Sequence, residues 1–180
     1  GKVLFNNTDI TKKSANTIAN LGVSRTFQQV RLFKYLTILD HLVMVEGNSD
    51  TRLFANLFKK HDKQTGKYAG VLEEFGIERG LDALVSELSY GQRKLLDLAM
   101  ALRKNHDLLM LDEPVAGVNA VVQERIENLL LTLKERGETI LLIDHDMAFI
   151  RKLADHVVVL DAGSVLLEGK PEEVLKDRRV

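Results

Sequence analysis

The 180-residue sequence has no cysteine, no tryptophan and only two prolines. Without cysteine the chain has no disulfide and no cysteine-ligated zinc site, as is typical of proteins in a reducing compartment. The near absence of proline excludes a proline-rich linker. No apolar run approaches the about 20 residues that a membrane-spanning helix needs.

An excess of charge of one sign is also missing. The 25 Lys and Arg residues and the 26 Asp and Glu residues give a net charge of −1, so no general basic surface and no nucleic-acid partner are expected. The chain is 45% hydrophobic, which suits a globular protein with a sizeable core.

Fully apolar segments at residues 108–111 and 139–143 alternate with an amphipathic segment at 121–136. This alternation is typical of a parallel sheet covered by helices, and therefore of an α/β fold. Residues 37–77 have a polar-rich helical pattern, with interruptions at Gly47-Asn48-Ser49 and Thr65-Gly66. We predict an α/β core from residues 1–36 and 101–180, with a helical subdomain over 37–100.

The segment DLLMLDEP is an apolar strand that ends in two adjacent carboxylates, Asp112 and Glu113. In open α/β sheets, ligands bind at the carboxyl ends of the strands. Asp112 is therefore placed to hold Mg²⁺, and Glu113 to orient or deprotonate a water molecule. Taken alone, Asp-Glu-Pro is equally consistent with a strand end that caps the next turn.

The next predicted strand leads into LLIDHD, which places His145 just past its carboxyl end. Because parallel strands end at the same edge of a sheet, this imidazole would lie near the two carboxylates, where a neutral histidine can donate to a phosphate oxygen. Taken alone, an ordinary surface histidine is the better interpretation. The remaining histidines have no metal-ligand spacing: His41, His61, His106 and His156.

A loop glutamine, Gln28, follows a predicted strand at residues 23–27 in the segment RTFQQVRLF. A glutamine in this place can reach a metal ion or a water molecule, and Gln29 competes for the same role. On its own, Gln28 is better interpreted as an ordinary polar loop residue.

The segment LSYGQRKLLDLAMAL begins as a polar turn and continues as a helix with one apolar face. Ser89 offers a hydroxyl, Gly91 offers a backbone that a ligand can approach closely, and the start of the helix offers N–H groups. Together with Tyr90 and Gln92, these residues predict a site for an anion.

In this order and combination, the sequence resembles the nucleotide-binding domain of ABC transporters over essentially its whole length. LSYGQ stands where the family has its LSGGQ signature, LLMLDEP where it has the Walker B strand with the following glutamate, and AGVN where it has the D-loop. The spacing also fits, because Asp112 follows Gly91 by 21 residues and His145 follows Asp112 by 33.

The resemblance implies a P-loop NTPase-like fold, ATP and Mg²⁺ as ligands, and roles for the residues above. Glu113, His145 and Gln28 would be catalytic, and Asp112 and Gln28 would serve the metal. The signature turn would cap the γ-phosphate of ATP bound to a second, facing domain, so hydrolysis would need a head-to-tail dimer. The implied nucleotide-contacting residues are Ser89, Tyr90, Gly91, Gln92 and Asn119.

A narrower resemblance, carried by RTFQQVRLFKYLTILDHL, DEPVAGVN and IDHDM, is to the ATP-binding subunits of branched-chain amino-acid importers. Urea and amide importers are similar. This implies membrane permease subunits as partners of the loop from Gln28 to Tyr35, a second nucleotide-binding domain, and a location on the cytoplasmic face of the plasma membrane. The sequence departs from the family pattern at three positions: Tyr90 for Gly, Asn119 for Asp and Asp144 for Glu.

The P-loop motif G-x-x-x-x-G-K-[ST] is absent from these 180 residues. In the family this motif supplies most of the phosphate contacts. We therefore expect the sequence to be a fragment that begins after the P-loop, and the chain by itself to be inactive. Two alternatives remain open: an ABC-like docking protein without catalysis, and a soluble ABC-type ATPase that is not linked to transport.

Overall fold

The computed structural model describes residues 1–46 and 65–180. Its strands are β1 (Leu4–Phe5), β2 (Thr8–Asp9), β3 (Val23–Arg25), β4 (Leu108–Asp112), β5 (Ile140–Ile143), β6 (Val157–Asp161) and β7 (Ser164–Gly169). Its α-helices are α1 (Ala15–Asn20), α2 (Ile38–Glu46), α3 (Thr65–Phe75), α4 (Tyr90–Arg103), α5 (Ala120–Glu135), α6 (Met147–Leu153) and α7 (Pro171–Val174). Within these ranges, no helix is both long and apolar enough to cross a bilayer.

A parallel sheet with the order β3-β4-β5 lies at the centre of the fold. Ser24 pairs with Leu109, and Leu109 pairs with Ile140. The three strands run in the same direction, so their carboxyl ends meet at one edge. This arrangement confirms the predicted α/β class and brings the segments after Arg25, Asp112 and Ile143 together.

The two faces of this sheet have different environments. Leu109 and Leu111 are buried in a cluster that includes Leu95 of α4 and Ile126 of α5. On the opposite face, the side chains of Leu141 and Ile143 are exposed. Asp112 pairs with Ile143 in the parallel register, so its carboxylate lies on this open face.

Helix α4 connects the sheet to the helical region. Its inner side is buried through Leu95, Leu96, Leu98 and Ala99. It packs against α2 and α3 on one side and against β3 and α5 on the other. The proposed domain boundary at residue 100 falls inside this helix, and the division into two subdomains stays a prediction.

The helical region is described only in part. It contains α2 and α3, and Thr65 and Gly66 lie in the first turn of α3. The predicted interruption at Gly47-Asn48-Ser49 lies outside the described residues.

The structure also contains two antiparallel hairpins, β1–β2 and β6–β7. The predicted β6–β7 hairpin turns at Ala162 and Gly163, both with positive φ. The β1–β2 hairpin turns at Asn6 and Asn7, whose φ angles of 46° and 60° suit a tight hairpin turn. Strand β2 was not predicted, because two residues are too few to show a strand period.

A buried histidine, His41 of α2, fixes the segment that precedes this helix. Its Nε2 accepts a hydrogen bond from the Phe33 N–H at 3.0 Å, and its Nδ1 donates to the Thr37 carbonyl at 2.8 Å. This pattern requires a neutral ring with the proton on Nδ1. Burial also lowers the pKa of His41. The residue therefore has a structural role.

The contribution of His41 to stability depends on pH. The folded-state pKa is lowered, so the unfolded chain binds more protons below about pH 6.5, the ordinary histidine pKa. The stability that His41 contributes is therefore present above this pH and lost as the pH falls. We expect the stability advantage of the wild type over His41→Gln to be smaller at pH 5.5 than at pH 7.5 in urea unfolding. The matched variant of exposed His156, His156→Gln, should show no such change, and equal behaviour of the two variants would contradict the assignment.

Candidate functional site

Three side chains meet at the carboxyl edge of the parallel sheet. The Gln28 Nε2 donates to Glu113 Oε2 at 2.6 Å, and the His145 Nδ1 lies 3.6 Å from Glu113 Oε1. These residues follow β3, β4 and β5, so the strand ends bring together groups that are far apart in sequence. Gln28 makes this contact, which separates it from its competitor Gln29.

The carboxylate of Asp112 lies beside this group. It forms a partly exposed ion pair with Arg25 at 3.4 Å, the kind of pair that stabilises a fold by at most about 1 kcal/mol. An ion pair of this strength does not by itself assign a structural role to Asp112.

The oxygen atoms at this edge suit a magnesium ion. Carboxylates from Asp112 and Glu113 and the amide oxygen of Gln28 are hard ligands of the type that Mg²⁺ prefers. Over the described ranges, no three His, Asp or Glu side chains form a ready-made metal cluster. Mg²⁺ is usually bound through one or two carboxylates together with the phosphates of a substrate.

The backbone of Glu113 is in an unusual conformation. Its φ of +45° lies in the left-handed region, which a residue with a side chain adopts at some energetic cost. Its N–H donates to the Ile143 carbonyl at 2.8 Å, and its own carbonyl accepts from Ala116 N–H at 3.2 Å. These bonds hold the strained backbone of Glu113 in place.

A buried lysine, Lys94, also contacts this backbone. It is 4% exposed, and its Nζ donates to the Gln28 carbonyl at 3.0 Å and to the Glu113 carbonyl at 2.9 Å. Lys94 is not among the site residues predicted from the sequence. The signal that could have identified Lys94 is a charged residue on the apolar side of α4, three residues after Gly91 and four before Leu98.

Further carboxylates lie around Lys94. The Asp144 side chain is 2% exposed; its Oδ1 accepts from Asp146 N–H at 3.0 Å, while its Oδ2 is buried with no hydrogen-bond partner among the described residues. Burial raises the pKa of Asp97 to about 6, although the Lys94 charge acts in the opposite direction. The interior of the site is therefore strongly polar.

The polar turn before α4 forms a capping box. Ser89 Oγ accepts from the Gln92 backbone N–H at 3.2 Å, and Gln92 Oε1 accepts from the Ser89 N–H at 3.1 Å. The two residues thus satisfy backbone groups at the helix start. Helix capping explains their residue types, and the Ser89 hydroxyl proton is still able to donate.

Gly91, Tyr90 and Asn119 lie around the start of α5. A Cβ atom on Gly91 would lie 2.9 Å from Val122 Cγ2, so close packing requires glycine here. Asn119 Oδ1 caps α5 by accepting from Val122 N–H at 3.0 Å. The Tyr90 ring lies next to Gly117. Among the described residues, no hydrogen bond or ion pair links this group to Gln28, Glu113 or His145.

We call the group of Gln28, Asp112, Glu113 and His145 at the carboxyl edge of the sheet the strand-edge site. This site and the fold are those of an α/β protein of the P-loop NTPase class. Residues 1–116 match the ABC transporter family. The "Probable branched-chain amino acid transport ATP-binding protein LivG" of Archaeoglobus fulgidus is 35% identical, over 100% of this chain and 72% of its own length. The high-affinity branched-chain amino acid transport ATP-binding protein BraF of Pseudomonas aeruginosa is 34% identical, over 97% of this chain and 71% of its own length.

Solved structures agree with these relatives. A nucleotide-free ATP-binding cassette from an ABC transporter is 33% identical with a TM-score of 0.80, covering 100% of this chain and 75% of that one. A dimeric cassette in a post-hydrolysis state, bound to ADP and Pi, shares the fold with a TM-score of 0.76 at 22% identity, over 95% of this chain and 73% of that one. The protein belongs to the ABC transporter family of ATP-hydrolysing, ATP-binding subunits.

The packing of Gly91 generates a prediction that is independent of any ligand. Replacing glycine by alanine in a helix normally stabilises it by roughly 0.5–1 kcal/mol. Because an added Cβ meets Val122, we expect Gly91→Ala to lower the free energy of unfolding by about 1–3 kcal/mol. In urea unfolding, this penalty should become smaller when Val122→Ala is also present.

Gly70 of α3 provides the matched control, since an added Cβ there meets no described atom within 4 Å. Gly70→Ala should be neutral or stabilising. A Gly91→Ala variant that is as stable as the wild type would show that packing does not require this glycine.

Proposed function

We propose that the chain forms the ATP-driving subunit of an importer for branched-chain or related amino acids. The observation that carries this proposal is the meeting of Gln28, Glu113 and His145 at one sheet edge. This arrangement suits activation of a water molecule beside a phosphate. The substrate class rests on the relatives that are named as branched-chain amino acid transport proteins.

In this proposal Glu113 accepts the proton of the attacking water. The Gln28 amide holds one Glu113 oxygen and leaves the other facing His145. A distance of 3.6 Å exceeds a hydrogen bond, so Glu113 does not fix which imidazole nitrogen carries the proton. His145 is therefore able to donate from Nε2 to a phosphate oxygen. Asp112, with Gln28, would hold Mg²⁺, which neutralises charge on the phosphates when it is bound.

The nucleotide would be capped by a second nucleotide-binding domain, identical or different, in a head-to-tail pair. Ser89 and Tyr90 at the start of α4 are exposed, as such a cap requires. Asn119 would contact the partner while it caps α5, and Tyr90 and Gln92 would complete the contact. A dimer of a cassette with the same fold supports this arrangement.

The permease subunits would dock on the segment from Gln28 to Tyr35. Phe33 is 65% exposed and Tyr35 is 86% exposed, whereas Leu32 packs against the core. The Phe33 and Tyr35 side chains therefore supply apolar surface for a partner.

We place the protein on the cytoplasmic face of the plasma membrane, where it would meet the permease subunits. We also retain residues 37–100 as its helical subdomain.

The 180-residue chain by itself should be nearly inactive. The missing P-loop would supply the lysine and backbone N–H groups that hold the phosphates. In assays of MgATP binding and phosphate release, we expect weak binding and a turnover no higher than that of the Glu113→Gln variant. Turnover that depends on Glu113 would contradict this expectation.

Transport is tested in the source cell. Disruption of the gene should abolish uptake of labelled leucine, and the intact gene should restore it. A gene carrying Glu113→Gln should fail to restore uptake, because an amide cannot accept the proton from water, whereas Glu135→Gln at an exposed position of α5 should succeed. Loss of urea or amide uptake instead would overturn the substrate class, and unchanged uptake of all these solutes would favour a docking role without transport.

A further inference from the structure

Lys94 is the one described side chain that hydrogen-bonds to both the Gln28 and Glu113 backbones. We propose that Lys94 is a positioning residue that fixes these two carbonyls to helix α4, and thereby fixes the contact between the Gln28 amide and the Glu113 carboxylate. The relevance of this role to catalysis rests on the proposed function, but the positioning itself does not.

Burying the ammonium group of Lys94 has a cost in hydration free energy. A lysine that is 4% exposed loses most of its hydration, and such a group is rarely buried without a specific partner. Burial lowers the pKa of Lys94, whereas the surrounding carboxylates act against that change: Asp97, Glu113, Asp144 and Asp112. An apolar side chain would fill this position without the cost of dehydrating a charge. The two hydrogen bonds that Lys94 donates are therefore the feature that distinguishes it from an apolar residue here.

The two hydrogen bonds of Lys94 end on two different segments of the chain. Gln28 lies in the loop after β3, and Glu113 lies at the end of β4, where its backbone is strained at φ +45°. A donor that reaches both carbonyls from a third element restrains the loop and the strained residue relative to each other. Rotation or translation of α4 would therefore displace both groups together.

Lys94 lies on the helix that begins at the signature turn, residues 88–92. Ser89 caps α4, and Lys94 lies about one turn further along. A partner that contacts the start of α4 would therefore act on a rigid helix whose next turn holds Gln28 and Glu113. This provides a short physical connection between the outer surface of the signature turn and the strand-edge site.

The experiment measures the Gln28 side-chain amide by NMR in the ¹⁵N-labelled chain, without nucleotide. Its resonance is assigned by its disappearance in Gln28→Glu. In Lys94→Met, which keeps the length of the side chain but removes the donor, we expect loss of the hydrogen-bonded resonance and its return to the position of a solvent-exposed glutamine. Lys94→Arg should restore it, since a guanidinium can donate to two carbonyls.

Lys152→Met, on the exposed part of α6, is the matched control and should leave the Gln28 resonance unchanged. The thermal unfolding midpoint of each variant is measured separately. A Gln28 resonance that stays in place in Lys94→Met, even with a lowered midpoint, would show that Lys94 is only a stabilising residue and would overturn the proposal. Because no nucleotide is used, this result would leave the proposed function standing, and a failure of the transport test would leave the positioning role standing.

Discussion

The parallel pairing of β3, β4 and β5 is the constraint on which the rest of the structure depends. Strands that run in the same direction must end at the same edge, and the residues after them share one small volume. Gln28, Glu113 and His145 come from three such ends, and this alone explains how a loop amide, a carboxylate and an imidazole meet. The buried face of the sheet, through Leu109 and Leu111, keeps this edge in a fixed position.

Several residues that the family resemblance assigns to nucleotide binding also have structural explanations. Ser89 and Gln92 cap α4, Asn119 caps α5, and Gly91 is required by the approach of Val122. Helix starts need side-chain acceptors whether or not a ligand is present, and the N–H groups gathered there are also the ones that suit a phosphate. The residue types at these positions therefore suit both the fold and the binding of a phosphate.

The interior of the site contains charged side chains that are shielded from water. In most proteins, such buried charges occur in pairs of opposite sign. Lys94 is buried among carboxylates and donates to two carbonyls, while Asp144 has an oxygen without a hydrogen-bond partner in the described structure. An apolar core would be less costly, because buried charges lose hydration that their partners only partly restore. The polar interior therefore lies directly beside the hydrophobic core, where Lys94 and Asp144 are held next to the carboxyl edge of the sheet.

The sequence by itself determined the elements and the residue types of the site. Continuous apolar runs predicted β4 and β5, and the Asp-Glu and His endings made Asp112, Glu113 and His145 candidates for the site, because strand patterns and motifs are local properties. Only the tertiary structure decided three further features: the contact of Gln28 with Glu113, the strained φ of Glu113 and the burial of Lys94. Each of these depends on contacts between segments far apart in sequence, and no local pattern contains the distance between them.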